Sequence, residues 1–224
     1  MHESAVFPLG TAYLPGDRVS LTIFEDRYVQ MLNDVMEGSR SFVSVLIERG
    51  SEVGGKDLRY QHGVHVVVNN VTTYESLLFV EGSVLAPCTI ADWLPDDPYP
   101  RAHIQAQKVS PLSESQRYDS ASSLTLLAQS IRLIHEALPS RNTEHLEPDD
   151  ISTRVATIAA GHWWDERVQE RDIEQAFWLL ARNLPCGPFD RYALLAPQSL
   201  VNRVKLLKQT VEHVQEVVAF RFDQ

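Results

Sequence analysis

Residues 45–57 read VLIERGSEVGGKD, and the run admits two interpretations. Gly50, Gly55 and Lys56 stand at the spacing G-x-x-x-x-G-K directly after an apolar stretch, close to a nucleotide-binding loop. Such a loop must open a helix whose first amides hold the phosphates, with a Ser or Thr after the lysine for magnesium. Here Asp57 follows Lys56, which puts a negative charge at that position. The continuation LRYQHGVHVVV is strand-like and contains Gly63, so no helix opens. Strand, glycine-rich turn and second strand describe a β-hairpin or loop connection instead.

Working outward, the first half of the chain reads mostly as strands. Residues 18–24 (RVSLTIF), 42–47 (FVSVLI), 62–71 (HGVHVVVNNV), 77–80 (LLFV) and, more weakly, 103–109 (HIQAQKV) are β-branched or alternating and are punctuated by Gly, Pro, Asn and Asp. One helix interrupts them. Glu25 and Asp26 fall in its first turn, Tyr28, Met31, Leu32 and Val35 recur at helical spacing, and Gly38 ends it. Residues 93–100 (WLPDDPYP) are too rich in proline for either element and read as an ordered loop.

Past Pro111 the composition turns helical. Leu127, Ile131, Ile134 and Leu138 share one face; Ile151, Val155 and Ile158 mark a shorter helix. Ile173, Phe177, Leu180 and Leu184 form another, with Asp172 as candidate N-cap, Gln175 three residues on, and Pro185 and Gly187 closing it. The last helix repeats Leu200, Val204, Leu207, Val211, Val214 and Val218, a stripe that suits a packed core face or a short coiled-coil seam. Residues 139–150 read as a polar loop. The expected organisation is a β-rich lobe over 1–110 and a helical lobe over 111–224.

Composition narrows the function. The 224 residues are 44% hydrophobic and 22% charged, ordinary for a globular protein, and the formal net charge is −10. The acidic excess is shared, with 8 Lys+Arg against 14 Asp+Glu in residues 1–110 and 12 against 16 thereafter. Neither half offers the basic face that a nucleic acid or an anionic membrane requires. No signal segment or membrane-length apolar run is visible, and Cys88 and Cys186 are isolated, so the expectation is a cytoplasmic protein with two reduced thiols.

Candidate chemistry is sparse. His62 and His65 would point to opposite faces of a strand, and a zinc site would need His103 or Cys88 from elsewhere. The run His162-Trp163-Trp164-Asp165-Glu166 sets a histidine beside carboxylates, but suits a tryptophan seam between helices as well. Neither G-x-S-x-G nor H-E-x-x-H occurs. Asp96-Asp97 and Asp149-Asp150 flank prolines in loops and serve turns, caps and solubility. No catalytic residue, metal or cofactor is therefore expected.

One larger pattern remains. Phe7-Pro8-Leu9-Gly10-Thr11, then Leu14-Pro15-Gly16, then Ile23-Phe24-Glu25-Asp26-Arg27-Tyr28 resembles the opening of the Lon protease N-terminal domain family. The likeness continues through residues 45–55, Gly63 and residues 93–101 (WLPDDPYPR), and in Leu194-Leu195 and 203–207 (RVKLL). It implies an α+β fold: a β-rich, PUA-like N-terminal lobe containing one helix, then an all-helical lobe ending in a long helix. It also implies the substrate-recognition part of that protease, here in a stand-alone form without ATPase or peptidase modules. By the resemblance, Pro8, Gly10, Pro15, Gly16 and Gly63 are architectural. Phe24 and Tyr28 pack the first helix onto the sheet, and Glu25 and Arg27 fix that corner. The sequence departs from the family after Glu81, where Gly82 is followed by SVLAPC rather than an arginine and an aromatic residue, with Pro87 unable to donate a ladder bond.

The leading expectation is a non-enzymatic module that binds unfolded or exposed hydrophobic protein segments, on an open sheet edge or in a groove between the lobes. Tyr13, Leu14, Trp93 and Tyr99 are its candidate contacts, read as exposed-loop apolars. The rival is an assembly or adaptor protein, a homodimer or a partner of a protease or ATPase, using the stripe from Leu200 to Val218. An enzyme centred on His162 and Glu166 is the third reading.

Overall fold

The computed structural model describes residues 1–55, 57–75, 77–107, 110–138, 148–161, 163–165 and 167–222, with backbone alone at 148–152 and 221–222. The chain divides into two compact units. The first comprises Met1–Lys108 together with Arg191–Ala196, and the second Val109–Asp190 together with Pro197–Gln224. Residues 191–196 thus belong with the sheet although they lie deep in the helical half of the sequence.

The first unit holds β1 (His2–Leu9), β2 (Arg18–Ile23), α1 (Asp26–Glu37), β3 (Ser41–Arg49), β4 (Leu58–Tyr74), β5 (Leu77–Trp93) and β6 (Arg101–Ala106). The six strands lie in the order β2-β5-β4-β3-β1-β6, and β5 also pairs with β6. Among the described strand pairs only β1 and β3 run parallel. The residues 45–57 are settled by their neighbours. Antiparallel pairing of Arg49 with Leu58 makes the glycine run a connection between β3 and β4, and a strand follows it where a phosphate loop needs a helix. A buried cluster of Val6, Val43, Val45, Cys88, Ile90, Ala102 and Ile104 fills the ring, with Trp93 packed against it.

Gly63 shows how tightly that wall is built. A Cβ there would lie 2.5 Å from Ser44 O and 2.8 Å from Val45 Cγ1, so β3 and β4 approach only because the side chain is a hydrogen atom. Two strands differ from the sequence reading. β1 was not among the expected strands, and within it Pro8 pairs in register with Val45. β5 continues past Glu81 to Trp93, because the β4–β5 register shifts between the pairs Val66↔Val84 and Val64↔Pro87. Leu85 and Ala86 then oppose His65 alone, a bulge that lets the ladder pass Pro87.

The second unit contains α2 (Glu114–Ala137), α3 (Pro148–Ala159), α4 (Glu170–Asn183) and α6 (Leu200–Phe222); α5 (Pro188–Ala193) spans the passage back to the first unit. Ser113 and Gln116 form a capping box on α2. The N-cap of α4 is Gln169, with Asp172 as the third helical residue of its capping box, so the helix starts one turn before the expected Asp172 cap. All six stripe residues of α6, Leu200 to Val218, are buried within the unit, whose helix contacts include α2 and α4. Arg203 is fully buried on the same helix, 3.2 Å from Glu174 and 4.9 Å above the Trp178 ring. Burial lowers its affinity for the proton, although Glu174 works in the opposite direction.

Candidate functional site

The sheet of the first unit closes along one half only. Where Cys88 to Trp93 of β5 pairs with β6, the strands β5, β4, β3, β1 and β6 form a ring. Along the other half, among the described residues, β2 has β5 on one side and no strand on its other, and β1 beyond Ala5 has only β3. Between these two edges lies an open groove of about 170 Å³.

The edges differ in what they offer. Val84 accepts from Gly16 N–H and donates to Asp17 O. By antiparallel alternation Val19, Leu21 and Ile23 exchange bonds with β5, which turns the N–H and C=O of Ser20 and Thr22 toward the open side. On β1 the Val6 N–H points away from β3, to Pro100 O, so Pro8 faces the open side with no N–H to give. One edge is competent for a further strand and the other is blunted.

Phe7 and Leu9 from β1, Ile23 from β2 and Tyr28 from α1 make the apolar interior of the groove. Phe7 and Tyr28 stack with ring centroids 4.2 Å apart, and burial pushes the Tyr28 hydroxyl up to about 12. Phe24 and Val53 stand at the rim, 56% and 55% exposed. Phe24 was expected to pack α1 onto the sheet. Ile23 points inward and alternation sends Phe24 outward, so α1 packs through Tyr28 with Met31, Leu32 and Val35.

Two carboxylates complete the rim, and both hold the glycine run in place. Glu25 accepts from Arg27 Nε at 3.2 Å and from Gly54 N–H at 3.4 Å, while Glu52 accepts from Gly10 N–H. Arg27 lies 4.4 Å over the Tyr28 ring. Gly55, at φ +74°, leaves room for Arg27, whose Nη1 would sit 2.8 Å from any Cβ there. Glu25 and Arg27 of the IFEDRY motif thus lie against Gly54 of the ERGSEVGG run.

The four expected contact residues do not converge on this groove. Leu14 is fully buried, and Tyr99 is 8% exposed with its hydroxyl donating to Asp34 at 2.7 Å, so neither is an exposed-loop apolar. Trp93 is half-buried against the ring core and lies 5.2 Å from the Arg59 guanidinium, which also pairs with Asp57 and Asp96. Tyr13 is half-buried; burial first, then Asp17 and Glu52, raise its hydroxyl pKa. Pro15 is buried and Gly16 turns with φ +89°. Phe7, Leu9, Ser20, Thr22, Glu52 and Val53 were not singled out from the sequence, because the groove exists only once β1 and β2 are known to be sheet ends.

The histidines separate. His62 lies near Thr89, Gln107 and Tyr192, whereas His65 stacks with His2. Burial lowers the pKa of both. Cys88 is buried in the ring core, and its thiol is pushed up to about 12. Among the described residues no group of three His, Cys, Asp or Glu side chains could hold a metal, and no helix is long and apolar enough to cross a membrane. His162 and Glu166 lie outside the described residues; Trp163 donates to Thr125 at 3.0 Å, and Trp164 meets Tyr118 edge-on.

Over residues 3–213 the chain matches the family model described as the ATP-dependent protease La (LON) substrate-binding domain. A Lon N-terminal domain protein from Xanthomonas campestris has a similar fold, with a TM-score of 0.58 at 18% identity, over 93% of this chain and 98% of that one. The N-terminal domain of Mycobacterium avium complex Lon protease gives 0.62 at 13% identity, over 94% and 98%. Comparison with curated proteins finds no match.

Proposed function

The chain belongs to the ATP-dependent protease La (LON) substrate-binding domain family, and from that premise we propose that it recognises exposed apolar segments of other polypeptides by adding them, extended, to the free edge of β2. The observation that carries the reading is the pairing of an unpartnered strand edge with an apolar groove beside it. In strand addition, main-chain hydrogen bonds supply affinity while a pocket for alternate side chains supplies selection. Ser20 and Thr22 provide the first, and Phe7, Leu9, Ile23, Tyr28 and the exposed Phe24 the second. The role is non-catalytic binding. The acidic charge of the first 110 residues supports protein rather than nucleic acid as partner.

The stripe of α6 supports no dimer, since its six residues are spent on the core of their own unit. The test is binding of labelled, unfolded polypeptide to the protein and to a Thr22→Pro variant. Proline at Thr22 removes an outward N–H, leaves the β5 ladder intact, and fits the strand edge. Binding that disappears in a variant of unchanged thermal stability supports edge addition. Binding that survives in the folded variant rejects it.

A further inference from the structure

The same groove specifies what kind of segment it takes, an inference that rests on the edge-addition reading. Its volume of about 170 Å³ is close to the ~150 Å³ engineered cavity that accepts one benzene. It therefore has room for a single bulky side chain, not for a run of them.

The position of charge along the edge is set by strand geometry. Ile23 points into the groove, and Glu25, with extended backbone angles of φ −79° and ψ 132°, lies two residues on and so on the same face. Glu52 reaches the rim from the glycine run. Each carboxylate gives one oxygen to an internal partner, Gly54 N–H or Arg27 for Glu25 and Gly10 N–H for Glu52. Arg27 offsets Glu25, and among the described residues no ion pair to Glu52 is formed. Among the described residues that line the groove, the charged ones are Glu25 and Glu52, beside an apolar socket.

We propose that the segment bound at β2 carries one leucine- or phenylalanine-sized side chain for the groove and a lysine or arginine two residues away, on the same face, for Glu25 and Glu52. Alternation dictates the interval: residue i fills the socket, i±1 turn away, and i±2 return to the carboxylates. Acidic residues at i±2 are rejected by like charge. Segments lacking the bulky residue lose the socket altogether.

Three fluorescent peptides on one strand-forming Thr-rich host test this, with central sequences Lys-Thr-Phe-Thr-Lys, Ser-Thr-Phe-Thr-Ser and Glu-Thr-Phe-Thr-Glu, alongside the lysine version with Ala for Phe. Glu52 is exposed and Glu25 half-buried, so the lysine peptide should bind about tenfold tighter than the glutamate one. The ratio should shrink in high salt. The Glu52→Gln variant retains an oxygen for Gly10 N–H and should narrow the preference without losing stability. Equal binding of the lysine and glutamate peptides would overturn the charge rule while leaving edge addition standing. Equal binding of the Phe and Ala versions would overturn the socket. If none of the four binds, the inference and the edge reading fall together.

Discussion

Arg191 forms an ion pair with Asp17, 174 residues earlier in the sequence, its Nη2 2.5 Å from the carboxylate. The same guanidinium donates to Ala12 O at 2.8 Å, and Asp17 also accepts from Leu14 N–H at 2.8 Å. The turn between β1 and β2 is therefore clamped by a residue from far along the chain. That turn fixes the separation of the two strand edges that border the groove.

Arg191→Ala should cost about 1–3 kcal/mol, because it strips charged hydrogen bonds from a mostly buried site. In a domain of this size each kcal/mol lowers the melting temperature by about 2–4 °C. A double-mutant cycle with Asp17→Ala isolates the pair. Simple additivity of the two losses would show that the clamp is not where the stability resides.

Glycine substitutions in the first unit should rank by crowding. Gly63→Ala places a carbon 2.5 Å from a backbone oxygen, so the β3–β4 wall must move, at about 1–3 kcal/mol or more. Gly54→Ala meets nothing within 4 Å and bears only the strain of φ +95°, about 1 kcal/mol. Urea midpoints decide the order, and a Gly54 variant less stable than the Gly63 variant would contradict the packing argument.

These positions also mark what the sequence could tell. Local signals carried α1, since Tyr28, Met31, Leu32 and Val35 are all buried and Gly38 is its C-cap. The α6 stripe was equally legible as a periodic face, although periodicity could not say whether core or partner covers it. Long-range pairing was not legible. β1 was not among the expected strands, and Pro87 hid the second half of β5, because a proline is tolerated wherever a bulge or an open edge relieves the missing donor, and only the partner strand reveals that. The candidate contacts suffered from the same gap. Leu14 and Tyr99 sit in loop-like sequence, but Asp17 and Asp34 hold their loops down onto the core.

Acidification should weaken the fold in two windows. Burial lowers the pKa of His62, and burial together with His2 lowers that of His65, below the ordinary 6.5. The unfolded chain then takes up protons first, so this stability is complete above about 6.5 and declines as pH falls through the lower folded values. Asp57 governs the second window. Burial alone would raise its carboxyl, but the Arg59 hydrogen bonds and charge overcome that and hold it below 3.8. Its contribution is present above 3.8 and lost as pH falls through the folded value. Urea midpoints followed from pH 8 to 3 should show both steps, and His65→Gln should flatten the upper one. An unchanged upper step in that variant would remove His65 as its source.

Phe24 and Trp93 should respond to alanine in opposite ways. Phe24 is 56% exposed at the groove rim, so its removal withdraws little from the core, and stability should change by less than about 0.5 kcal/mol. Its ring forms part of the surface offered to a bound segment, and interface aromatics of this kind carry about 1–2 kcal/mol or more of binding. Peptide affinity should fall about tenfold. Trp93 closes the ring core and lies beside the Arg59 guanidinium, which itself bridges Asp57 and Asp96. Trp93→Ala opens a cavity and uncovers that charged cluster, at about 3–5 kcal/mol. Whatever folded protein remains should bind peptide with unchanged affinity, since Trp93 does not line the groove. Titrating both variants after measuring their folded fractions separates the two effects. A Trp93 variant that stays stable but loses binding, beside a Phe24 variant that keeps it, would move the recognition surface from the β2 edge to the other end of the ring.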